Sequence, residues 1–158
     1  MINRYHDKSP RALLTGAVTL LLAAAVASLP AHAADLAATD PKATVTTAAE
    51  MWLKHVDEGK FDLTYTEAGP WLHGLETGPQ WEGALVGETA KYGRGTERHV
   101  RSVRFETTAS GKFGGDWAYV DFDSVHEKRR SLAEEVVFRQ EPDGSWKVAG
   151  SSIGDRAP

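Results

Sequence analysis

Between Leu132 and Gly154 the chain reads LAEEVVFRQEPDGSWKVAGSSIG, two β-rich runs joined by Glu141-Pro142-Asp143-Gly144. Proline fixes φ at the second turn position, aspartate is tolerated next, and glycine supplies the positive φ that brings the chain back. Val136 and Phe138 alternate with Glu135, Val137 and Arg139 before the turn; Trp146 and Val148 alternate with Lys147 and Ala149 after it. Period-two alternation on both sides of such a turn predicts a β-hairpin with one buried face. The upstream chain must supply whatever covers that face.

Two further strands precede the hairpin. From Glu97 the pattern has period two, with His99–Phe105 as one strand and Trp117–Val125 as the next, separated by the glycine-rich turn Gly111–Asp116. In the second, Ala118, Val120 and Phe122 oppose Trp117, Tyr119, Asp121 and Asp123. His126–Ser131 reads as a charged, solvated loop.

Upstream of Glu97 the period is helical. Asp40-Pro41 opens a helix, because aspartate caps free amides and proline suits the first helical position. Val45, Ala48, Ala49, Trp52, Leu53 and Val56 then form one apolar face, and Gly59 stops it. Phe61–Ala68 reads as a second helix capped by Asp62, with Tyr65 and Ala68 inward; Gly69-Pro70 ends it and Trp71, Leu72 and Leu75 form an apolar turn. Thr77-Gly78-Pro79-Gln80 is a capping box opening a third long element with Trp81, Ala84, Leu85, Glu88 and Tyr92 on one side. Helices followed by four meandering strands is an α+β pattern, an antiparallel sheet with helices on one face.

Residues 1–33 read as an export signal rather than fold. Arg4, Lys8 and Arg11 give a basic start, Ala12–Val26 is almost wholly apolar, and Ala31-His32-Ala33 is a small-x-small cleavage site. An uncleaved anchor is the competing reading, since the run extended to Leu29 is about long enough to span a bilayer. Thr15, Gly16, Thr19 and Ser28 within the run and Pro30 at its end argue against it. The expected organisation is a signal over 1–33 cleaved after Ala33, a linker over 34–43, a domain over 44–154 and a tail over 155–158, located in the periplasm or secreted. Cleavage removes three basic residues and one acidic residue from 18 and 22, leaving 15 and 21, a net charge of −6. That disfavours nucleic acid and, after cleavage, anionic membrane as partners. The chain has no cysteine, so disulfides and thiol chemistry are excluded.

The part after the signal resembles the bacterial exported proteins grouped as domain of unknown function 4019. The resemblance rests on Ala49-x-x-Trp52-Leu53-x-x-Val56-Asp57-x-Gly59, on Trp81-x-x-Ala84-Leu85 followed by Gly93 and Arg98, and on Glu135-x-Val137 with Asp143-Gly144-Ser145-Trp146-Lys147-Val148-Ala149-Gly150. It implies helices over a curved, cone-like sheet similar to nuclear-transport-factor-2-like and cystatin-like folds, and it implies no activity. Tyr65 stands where relatives tend to have tryptophan, and Ser151-Ser152 where they tend to have aromatics.

Cone-like folds often enclose a pocket between helices and sheet. The polar candidates for such a pocket are Arg98, Arg104, Tyr119, Asp121, Asp123 and Glu135, and Trp71 is a candidate for its mouth. Asp121 and Asp123 on one sheet face would crowd, raise one pKa and form an acid/base pair; alternatively they face water while Ala118, Val120 and Phe122 are buried. Arg98 and Glu135 read as a pair that either orients a ligand or ties the first strand to the third. His55-x-Asp57 places its side chains in different directions on a helix, so it is a poor metal site. Gly93-Arg94-Gly95 follows no strand and is a helix stop rather than a phosphate loop. No cofactor is implied. The expected function is a non-catalytic domain that binds a small ligand or a protein. The alternative is a cofactor-independent isomerase or hydrolase using Asp or Tyr, and a homodimer through the sheet face is a further possibility.

Overall fold

A computed structural model describes residues 40–156. The expected signal over 1–33 and the chain through Thr39 lie outside the described residues.

Helix α1 (Pro41–Asp57) begins with the Asp40 carboxylate accepting from the Lys42 amide at 3.0 Å. The helix starts where Asp40-Pro41 was expected to open it, so residues 41–43 of the span read as linker are helical. Val45, Ala49, Trp52 and Leu53 are its buried face, and Gly59 turns the chain out at φ 72°. Helix α2 (Phe61–Thr66) starts after Lys60, so Asp62 lies in its first turn instead of capping it. The buried residue of α2 is Thr64, whose backbone carbonyl accepts from the Trp52 indole at 3.3 Å and whose hydroxyl accepts from the Trp81 indole at 3.0 Å. Both tryptophans can thus be buried with their one polar atom satisfied.

Gly69-Pro70 begins a short helix, α3 (Pro70–His73), where an apolar turn was expected. Helix α4 (Gly78–Tyr92) follows; the Gln80 amide oxygen accepts from both the amide (2.9 Å) and the hydroxyl (2.8 Å) of Thr77. Trp81, Leu85 and Tyr92 are buried on α4, whereas Ala84, expected inward, is exposed.

The four strands are β1 (Gly95–Thr108), β2 (Gly115–His126), β3 (Arg129–Gln140) and β4 (Trp146–Asp155), in one antiparallel sheet of order β1-β2-β3-β4. The expected charged loop contracts to the turn Glu127-Lys128, whose amides bond back to the carbonyls of Arg94 and Tyr92 at 3.0 Å each. At the other hairpin Gly144 adopts φ 84°, and the Gly144 amide donates to the Glu141 carbonyl at 2.8 Å. Ala118, Val120 and Phe122 of β2, Val136 and Phe138 of β3, and Val148 of β4 face the helices and form the core with α1 and α4. Burying each of the larger side chains contributes roughly 1.5–3 kcal/mol. Among the described residues no helix is long and apolar enough to cross a membrane.

One irregularity positions the Trp71 side chain. Between Val137 and Phe138 the β3–β4 register shifts by one, leaving Ala149 as the extra residue of a bulge. Beside it the Gly69 amide donates to the Val148 carbonyl at 2.9 Å, fastening the start of α3 to the β4 edge. A β-carbon at Gly69 would lie 2.8 Å from that of Lys147, so the close approach requires glycine. Leu72 then enters the core while Trp71, its neighbour, passes round the edge to the opposite sheet face.

Candidate functional site

The two faces of the sheet carry two different sets of polar groups. On the helix side, Arg98 of β1 donates from Nε to Glu134 at 2.6 Å and from Nη2 to Asp57 at 3.1 Å. His126 Nε2 lies 3.1 Å from Glu134 Oε1, and Nδ1 lies 3.0 Å from the Gly93 carbonyl. The end of α1, the end of α4 and three strands are thereby joined through one buried cluster. Burial opposes ionisation of Glu134, but the His126 and Arg98 hydrogen bonds prevail and hold its carboxyl at about 2. Burial likewise opposes the charge on His126, yet the contacts to Glu134 and to the Gly93 carbonyl raise its pKa. Half-buried Glu88, facing the same space, is raised by burial and by the charge of Glu134.

The space left there is small. The void bounded by Trp52, Leu85, Glu88, His126, Glu134 and Ile153 measures about 30 Å³. Such a volume accepts a water molecule, whereas small-molecule sites occupy roughly 300–1,000 Å³. The ligand-sized pocket expected between helices and sheet is therefore filled, by Trp52 and Leu85 from one side and the ion cluster from the other.

The opposite face has room. A groove of about 380 Å³ runs over β2, β3 and β4 between Trp71 and Leu75 on one side and Tyr119 and Glu135 on the other. Trp71 meets Trp117 edge-on at 5.2 Å and Phe113 at 5.6 Å, so three rings from α3, β2 and the β1–β2 turn form one wall. The Arg139 guanidinium lies 5.1 Å from the Trp71 ring and 5.7 Å from Trp117, and donates to the Gly114 carbonyl at 2.8 Å. Val137, Ala149 and Gly150 make the floor and Ser152 stands at the rim.

The polar end of the groove is a four-residue arrangement fixed by register, with Ser102, Asp121, Glu135 and Ser152 aligned across the four strands. Arg104 lies over Tyr119 at 4.6 Å and is shared among Glu135 (2.9 Å), Glu106 (3.0 Å) and Asp121 (3.5 Å). Burial resists the charge on Asp121, but the Ser102 hydroxyl and Arg104 keep its pKa below the usual value. Glu135 moves the other way: burial and the neighbouring Asp121 charge push it up. Burial, then the charges of Glu106 and Glu135, raise the Tyr119 phenol.

A second hollow, of about 410 Å³, lies at the end of the sheet under the start of α1, between Lys42, Phe105 and Trp146. Asp40, through which the chain enters the described part, forms its rim, and polar groups beside it are already joined, as in the 2.6 Å hydrogen bond from Thr107 to Asp116.

The residues singled out from sequence are thus divided. Trp71, Tyr119 and Glu135 line the groove, and Asp121 lies beside it beneath Arg104. Asp123 shares their face but sits further along β2, paired with Arg156 at 3.2 Å. Asp121 and Asp123 do not crowd one another; the carboxylate opposite Asp121 is Glu135, and the raised pKa is on Glu135. Arg98 is on the other face altogether. Its expected pairing with Glu135 is incorrect: alternation on β3 turns Glu134 inward and Glu135 outward, so Arg98 takes Glu134 and Asp57. His126 and Glu134 do not stand out in the sequence, because both lie near the charged β2–β3 turn and meet only through strand pairing. Phe113, in an irregular turn, has no periodicity to reveal it, whereas Leu75 is legible as part of the apolar turn after Gly69-Pro70. No cluster of three or more metal-ligating side chains occurs among the described residues.

A family model described as protein of unknown function (DUF4019) matches residues 48–151. The chain belongs to this family. The DUF4019 match runs from the middle of α1 to β4, and so contains the whole Arg98 cluster and every groove residue except Ser152, which lies one position beyond it. Comparison with curated proteins and with solved structures finds no match.

Proposed function

We propose that this DUF4019 protein is an exported, non-catalytic domain that binds a small ligand in the sheet-face groove. The observation that carries the reading is the contrast in space: about 380 Å³ beside the aromatic wall against about 30 Å³ at the buried charge cluster. Of these two spaces only the former is large enough for a metabolite-sized molecule, and unlike the hollow of about 410 Å³ under the start of α1 it has a wall of three packed rings. The groove also has the composition of a binding site, mostly apolar with a few polar groups gathered at one end. Catalysis by the aspartates would need Tyr119, Asp121 and Asp123 to converge in an enclosed cavity. Instead Asp121 is held by Ser102 and Arg104, and Asp123 by Arg156. Export is inferred from the basic, apolar and small-residue sequence of residues 1–33.

Native mass spectrometry of protein recovered from the periplasm of its own host tests both parts. The expected result is a mature chain beginning near Ala34 that carries a small-molecule adduct, with the adduct lost in Trp71→Ala. An adduct retained in Trp71→Ala would place the ligand elsewhere and overturn the assignment to the groove.

A further inference from the structure

We infer that the groove selects a small amine, a flat apolar body of one or two rings bearing a cationic donor group that meets Glu135. The inference rests on the reading of the groove as a binding site and adds the chemistry of its occupant. Among the side chains that line the groove, Glu135 alone carries a charge at neutral pH; the rest are aromatic, aliphatic, hydroxyl or glycine. The Glu135 charge is incompletely balanced. Its partner Arg104 divides its guanidinium among Glu106, Asp121 and Glu135, and Arg101 reaches only Asp121, at 3.6 Å, so three carboxylates share two guanidiniums. An ammonium group at this end supplies the missing positive charge and a charge-assisted hydrogen bond. An anion would have to displace carboxylates from Arg104 while facing Glu135 directly.

The aromatic wall agrees with the same occupant. Arg139 over Trp71 and Trp117, and Arg104 over Tyr119, show that the rings of this face already accept cations. The apolar part of the ligand packs on Trp71, Phe113 and Val137, and the volume of about 380 Å³, near the lower end for small-molecule sites, limits it to one or two rings.

The test uses three probes that share a phenethyl body, 2-phenylethylammonium, 2-phenylethanol and 3-phenylpropionate, titrated calorimetrically at pH 7 into the mature protein and into Glu135→Gln and Trp71→Ala, each checked for fold by circular dichroism. The expected result is binding of the ammonium at least about tenfold tighter than the alcohol, the scale of one charge-assisted hydrogen bond, with the carboxylate weakest. Glu135→Gln is expected to abolish the difference between ammonium and alcohol, and Trp71→Ala to weaken all three. Equal binding of the three probes, all lost in Trp71→Ala, would overturn the charge selection while leaving the groove as a binding site. Binding of none of them would overturn the inference and withdraw support from the groove itself.

Discussion

The two faces of one sheet use similar residues to opposite ends. On the helix side, an arginine, two carboxylates and a histidine close on each other until about 30 Å³ remains. On the far side, an arginine, three carboxylates and a tyrosine gather at one end of an opening of about 380 Å³, which only Glu135 and Tyr119 of that group line. The first group contains the most strongly shifted carboxyl, Glu134, and would rank first by charge perturbation alone. What separates the two is what lies over them. Helices α1 and α4 press Trp52 and Leu85 onto the first, whereas the second is bordered only by α3, which the bulged edge of β4 holds to one side. Perturbed charge marks a buried network as readily as a site, and available volume decides between them.

The comparison breaks most visibly at Arg98. Arg98→Met leaves Glu134, whose side chain is 5% exposed, without its guanidinium partner. A loss of about 3–5 kcal/mol is expected for removing one member of a buried ion pair, read from urea unfolding. Ligand binding at the groove should be unchanged under conditions where the variant remains folded. A loss below about 1 kcal/mol would show that the cluster does not hold the helices to the sheet.

The pH dependence of stability sharpens the same contrast. Glu134 is depressed from its ordinary 4.5 to about 2, so its contribution is present above pH 4.5 and lost as pH falls toward 2, by about 3 kcal/mol in all. His126 is raised above its ordinary 6.5, so its contribution is present below pH 6.5 and lost as pH rises through the folded value. Glu88 is also raised, favours the folded state at acid pH and softens the acid limb. Thermal unfolding should therefore show greatest stability between about pH 4.5 and 6.5, and His126→Gln should flatten the alkaline limb. An alkaline limb unchanged in that variant would exclude His126 as its cause.

The smallest effect is expected at Asp123. Its pair with Arg156 joins two partly exposed side chains beyond the groove, so Asp123→Asn should alter stability by less than about 1 kcal/mol and leave probe binding intact. A larger effect on binding would extend the site along β2.

Much of this arrangement was legible in the sequence wherever a period could be counted. Asp40-Pro41, Thr77–Gln80 and Pro142–Gly144 announced α1, α4 and the last hairpin, and the alternation of Ala118, Val120 and Phe122 correctly assigned the faces of β2. Tyr119 and Glu135 followed from the same alternation. Parity failed at Arg98, because a bulge between Val100 and Ser102 puts Arg98 and Arg104, an even number of residues apart, on opposite faces of β1. The aromatic wall was half legible. Trp71 stood out beside Gly69-Pro70, but its meeting with Phe113 and Trp117 depends on a bulge at Ala149 and a backbone bond from Gly69 to β4. Those are contacts between segments distant in sequence, and no local pattern encodes them.

The central claim is that ligand is received on the sheet face rather than between helices and sheet, and the five tryptophan indoles allow a direct test. In a ¹H–¹⁵N correlation spectrum titrated with 2-phenylethylammonium, the account predicts saturable shifts of the Trp71 and Trp117 indole signals and of the Tyr119, Val137 and Gly150 amides. The Trp52 and Trp81 indoles, which donate to Thr64 in the core, should stay in place. Shifts centred on Trp52, Trp81 and His126, with Trp71 and Trp117 unmoved, would contradict it.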